Sequence, residues 1–173
     1  MNLEIHNFTK NNKIKKKYIC KSQGGNSISP KISWNEILDA KSYSLIFEDP
    51  DAVGGNFIHW YIPYIDPKII LINELKSIDI YIDPEKINLK DINNIKILHG
   101  LNSINKCGYH GPCAPQKTGN HRYILTLFAL NNKVLNKMKI SGSSEFRDFL
   151  NNNDILILKE QTFEYKYGYK DYS

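Results

Sequence analysis

The run Asp49-Pro50-Asp51-Ala52-Val53-Gly54-Gly55-Asn56-Phe57-Ile58-His59-Trp60 packs two carboxylates, a glycine pair, an imidazole and an indole into one short connection. A carboxylate that accepts from an imidazole N–H favours the charged ring and moves its pKa upward from about 6.5. Such a site suits an anion near neutral pH. Bare carboxylates repel phosphate, so Asp49 and Asp51 fit only if they bond His59, backbone N–H groups or a ligand ammonium. The plainer reading is that both aspartates cap the turn and His59 is their satisfied partner. A second cluster, residues 108–123, holds His110, Gly111, Pro112, Cys113, Pro115, His121, Arg122 and Tyr123. Gly111 has no side chain to obstruct approach, so backbone N–H groups around it could reach phosphoryl oxygens.

Two other chemistries use the same residues. In a hydrolase, Cys113 would be the nucleophile, His59 its base and Asp49 the orienting group, which requires Cys113 within about 3 Å hydrogen-bond reach of His59. A metal could be held by His59, His110, His121 and an aspartate, although their spacing is not the tight spacing of familiar zinc motifs. No cofactor motif is present.

The elements flanking these clusters read as strands. Residues 42–47 alternate, and residues 58–62 do the same, so Ile58, Trp60 and Ile62 are expected on one face with His59 and Tyr61 on the other. His59 would then be lifted off the apolar side. Asp49-Pro50-Asp51 ends the first strand, because proline donates no ladder bond and aspartate bonds its own backbone in turns. Residues 123–130 form the strongest strand, with Tyr123, Leu125, Leu127 and Ala129 on one face and Ile124, Thr126, Phe128 and Leu130 on the other. Both faces are mainly apolar, which predicts a central strand covered on both sides. After Ser143-Ser144, a possible cap, Phe146, Phe149 and Leu150 fall on one face of a short helix ending near Asn151-Asn152-Asn153. A last strand has Phe163, Tyr165, Tyr167 and Tyr169 alternating with polar residues. Shorter strands are expected near Leu3 and Ile5, over residues 28–34 and over residues 95–100. The remainder of residues 66–98 sets no register. Strands outnumber helices with no regular alternation between them, which points to a mainly antiparallel β protein.

At 173 residues, one domain over residues 1–173 suffices. No basic-then-apolar secretory pattern opens the chain, and no apolar run approaches the roughly 20 residues that span a bilayer. Cys20, Cys107 and Cys113 are too few and too irregularly spaced for a disulfide framework, so reduced thiols in a cytoplasmic protein are expected. The net charge of +5 favours anionic partners without naming one. Lys10, Lys13, Lys15, Lys16 and Lys17 form the densest basic patch, read as a solvated edge or as a weak peripheral contact with the inner membrane surface. Nucleic-acid binding has no motif behind it.

Asp-Pro-Asp-Ala at 49–52, His59-Trp60, Gly-Pro-Cys-Ala-Pro at 111–115 and His121-Arg122-Tyr123, in that order, resemble the phosphatidylethanolamine-binding protein family, which includes the Raf kinase inhibitor proteins. Ser29-Pro30 and Ile32-Ser33-Trp34 are a softer echo. The resemblance implies a Greek-key antiparallel β sandwich with one large and one small sheet and a few short peripheral helices. It implies a non-enzymatic anion pocket lined by Asp49, His59 and Tyr123, with Ala52, Gly111 and the loop from Pro112 through Cys113 to Pro115 at its rim, and Asp51 among the ligand-binding residues. Trp60, His110, His121 and Arg122 are supporting residues, Arg122 by pairing with an acidic turn residue. The implied partner is a phosphate-bearing small molecule or phospholipid headgroup, or alternatively a phosphorylated segment of a protein kinase. The connection Gly54-Gly55-Asn56 is shorter than in the mammalian inhibitors, nearer the compact prokaryote-like branch.

Overall fold

The computed structural model describes residues 1–74, 96–135 and 139–171. Its large sheet has five antiparallel strands in the order β10-β9-β5-β6-β8, formed by Ile157–Gly168, Asn120–Leu130, Ser42–Asp49, Phe57–Ile65 and Ile97–Leu98. A three-stranded sheet, β1-β4-β7, comprises Glu4–His6, Lys31–Ser33 and Leu71–Ile72, all antiparallel. A small hairpin joins β2 (Thr9–Lys10) to β3 (Lys13–Ile14). The molecule is a Greek-key β sandwich, since β9 returns to pair with β5 on the side away from its hairpin partner β6.

β9 occupies the interior as its two apolar faces require. Tyr123, Leu125, Leu127 and Ala129 join Tyr43, Leu45, Phe47, Trp60 and Ile62 in the layer beneath the small sheet, where Leu3, Ile32 and Ile72 meet them. Phe128 and Leu130 face the other way, with Ile46, Ile58 and Tyr61, against helix α1 (Ser143–Asn152). α1 seats Phe146 and Leu150 in this second layer, both 0% exposed, and each such side chain contributes roughly 1.5–3 kcal/mol by leaving water. No serine side chain caps it. The buried carboxylate of Glu48 accepts from the Ser143 N–H at 3.0 Å and from Asn56 Nδ2 at 2.6 Å, so β5 supplies the anion at the helix start.

Three features depart from the sequence reading. β10 ends at Gly168, and Tyr169 starts a 3-10 turn instead of continuing the strand. β8 spans only Ile97–Leu98, with residues 75–95 outside the described set. Most consequentially, β6 does not alternate evenly. Phe47 pairs with Trp60 but Glu48 pairs with Ile58, leaving His59 as the extra residue of a β-bulge. His59 and Trp60 therefore share the inner face, and Ile58 joins Tyr61 on the helix side.

Candidate functional site

The bulge buries His59 to 3% exposure among aromatic rings. Its ring centroid lies 4.7 Å from that of Phe57, 5.3 Å from Tyr123, 5.7 Å from Phe47 and 5.8 Å from His110. Nδ1 donates to the His110 carbonyl at 2.8 Å, and the His110 N–H donates to the His59 carbonyl at 2.7 Å. Burial dominates the ionisation and pushes the pKa down to about 3, against the partial support of the carbonyl acceptors. The expectation of a charged, outward-facing His59 bonded to an aspartate is thus corrected. The ring is neutral and knits β6 to the 110–111 turn.

The carboxylate partner is His121. Its Nδ1 stands 2.8 Å from Asp49 Oδ2, both side chains are at most 4% exposed, and its Nε2 lies 2.9 Å from Thr118 Oγ1. Asp49 Oδ1 also accepts the Asp51 N–H at 2.9 Å, closing the turn expected after β5. Asp51 is committed elsewhere: it accepts from Arg122 N, Nε and Nη2 at 2.9, 2.9 and 2.7 Å, and the guanidinium holds its carboxyl well below the usual carboxylate range. It braces the turn, leaving Asp49 as the carboxylate that faces the site.

Tyr123 is wholly buried, and among the described residues its hydroxyl, like that of Tyr61 on the helix side, has no hydrogen-bond partner within range. Asp49 and the Cys113 backbone still lie close enough to influence its ionisation, although burial is the largest cause of its raised pKa. Orphaned buried hydroxyls are uncommon in native cores. Of the other residues expected at the rim, Ala52 and Cys113 are half-buried and Pro115 is exposed. A 240 Å³ cavity lies along the 115–120 turn, lined by Pro115, Lys117, Asn120 and Tyr169 among others. Of the residues expected at the site, Pro115 alone lines that cavity.

Gly111 has a different role from the one expected. Its N–H donates to Ser27 Oγ at 2.8 Å and so is already used. A Cβ there would stand 2.4 Å from the Tyr18 carbonyl oxygen, so glycine is required by the passage of two backbones. The Cys20 N–H completes the crossing by donating to the Pro112 carbonyl at 3.0 Å. Cys113 is bonded to Cys20, with an S–S distance of 2.06 Å, and Cys107 is the cysteine outside the bond. This overturns the expectation of reduced cysteines and removes the thiolate that a Cys113 hydrolase would need. Trp60 is a core residue whose Nε1 points at His99 Nδ1 from 3.4 Å. Among the described residues no group of three or more histidine, cysteine or acidic side chains is arranged to hold a metal.

Residues that sequence reasoning passed over include Thr118, Ser27 and Glu48. Thr118 lay inside the second cluster and could have been found by its position beside His121, whereas Ser27 sat in a glycine-rich turn with no periodicity to mark it.

The chain matches the family described as phosphatidylethanolamine-binding protein over residues 4–166. It belongs to that family. UPF0098 proteins of Aquifex aeolicus and Methanothermobacter thermautotrophicus are each 34% identical to it, over 132 and 134 residues. The match covers 76% of this chain in both cases, and 68% and 77% of those proteins. A phosphatidylethanolamine-binding protein homologue from Chlamydia trachomatis superposes with TM-score 0.69 at 25% identity, over 96% of this chain and 95% of that one. Escherichia coli YbcL shares the fold at TM-score 0.70 and 17% identity, over 96% and 97% of the two chains. A Mycobacterium tuberculosis protein named as a lipoprotein, LppC, is 31% identical over 107 residues, which is 61% of this chain and 45% of that protein.

Proposed function

We propose that this family member is a non-enzymatic binding protein for a phosphoryl group carried by a small zwitterion such as phosphoethanolamine, the headgroup named by its family. The orphan hydroxyl of Tyr123 carries the reading. It is a buried donor beside a carboxylate and the Cys113 main chain, and an entering phosphoryl oxygen would satisfy it. Asp49 then offers its negative charge to the ligand ammonium. His59, being neutral, acts by shape and by holding the 110–111 turn. The Cys20–Cys113 bond fits an oxidising compartment better than the cytoplasm expected from the cysteine count.

The test is Tyr123→Phe, titrated calorimetrically with phosphoethanolamine. Loss of one hydrogen bond predicts about tenfold weaker binding. Because the hydroxyl is unpaired in the free protein, thermal stability should hold or rise. Unchanged affinity would remove Tyr123 from the site. A phosphopeptide titrated in parallel separates the sources: a marked peptide preference would reassign the site to a phosphorylated protein partner.

A further inference from the structure

A larger cavity, about 410 Å³, opens beside the same loop and is lined by none of Asp49, His59, His121 and Tyr123. Its volume lies within the range of small-molecule sites. Lys21 and Lys106 line it, together with His110 and Ser22, and among the described residues no acidic side chain does. Among the described residues neither lysine ammonium nor the half-buried His110 ring has a hydrogen-bond or ion-pair partner. The Lys106 charge is felt at His110, lowering its pKa after the larger effect of burial, which places the two groups near each other. Among the described residues the hydrogen-bond partners of Ser22 Oγ are the two disulfide sulfurs, each at 3.2 Å, and sulfur is a weak acceptor. Asn102 fixes the wall that carries Lys106. Its Oδ1 accepts from the Ile104 and Lys106 N–H groups at 3.2 and 3.1 Å, and Nδ2 donates to Gly108 O at 3.2 Å.

Lys21 and Lys106 stand exposed at the cavity's edge, among the described residues no counter-charge lines it, and an entering anion supplies one. We propose that this cavity is a second, separate anion site, which takes a compact phosphate monoester with its dianionic head between Lys21, Lys106, His110 and Ser22 and its organic part against Ile104 and Tyr109. His110 then belongs to both sites: it lines the cavity, while its main chain fixes His59.

The test is an NMR titration of the full chain with inorganic phosphate, phenyl phosphate and acetate. The His110 ring and the Lys106 amide should shift with both phosphates, more strongly with phenyl phosphate, and acetate should have little effect. Lys21→Glu combined with Lys106→Glu should weaken this response at least tenfold, and Lys21→Gln with Lys106→Gln less so. Tyr123→Phe should leave the Lys106 amide response unchanged. The proposal is overturned if His110 does not respond to phosphate, if acetate matches phosphate, or if the charge-reversed protein, with Asp49 and His121 resonances unmoved, still binds as the wild type does.

Discussion

Asp49 shows how far a residue's role depends on which neighbour it meets. The sequence pointed to His59 as its partner, and the fold supplies His121 instead because the bulge turns His59 inward. Removing one partner of a buried pair leaves the other uncompensated, so Asp49→Ala should destabilise the protein by about 3 kcal/mol, measured by urea denaturation. An intact-stability Asp49→Ala variant would contradict the pairing. His59 makes the second prediction. Its pKa is depressed from 6.5 to about 3, and that of His99 to about 4, in both cases chiefly by burial. The unfolded chain therefore binds more protons than the folded one below pH 6.5. Stability contributed by the neutral rings is complete above that value and lost as pH falls toward 4, at about 1.4 kcal/mol per pH unit for each ring. The Asp51 carboxylate acts only at lower pH, below its ordinary value of 3.8. The melting temperature should fall steadily between pH 6.5 and 4.5, and a flat profile there would show the rings to be accessible to protons.

At the scale of elements, periodicity made β9 and α1 legible, since each has a full face of large apolar residues repeating at its own period. It failed at β6 because a single extra residue inverts every later side chain and leaves no compositional mark. The start of α1 failed for a related reason. Ser143 looked like a cap, but the anion comes from Glu48, on a strand remote in sequence. Glu48→Ala should accordingly cost about 1–2 kcal/mol and speed amide exchange in the first turn of α1, while exchange in β9 stays slow. Equal acceleration in both elements would mean that Glu48 supports the sheet as a whole.

For the whole molecule, the Cys20–Cys113 bond spans a sequence separation of 93. Nothing local to either cysteine announces it. A cross-link of that span restricts the unfolded chain by about 4–5 kcal/mol in the chain-entropy account. Cys20→Ser with Cys113→Ser should lower the unfolding free energy by up to about 4 kcal/mol, and a reductant should do the same to the wild type but nothing further to the variant. Equal stability with and without reductant would dismiss the bond. The outermost strand, β10, has a different consequence. Twelve residues long, it closes one end of the large sheet order and points Lys159, Glu160, Glu164 and Lys166 at solvent. Charged side chains along a rim discourage a foreign strand from annealing there. Their neutralisation would expose the protein to fibrous self-association long before it altered any ligand contact.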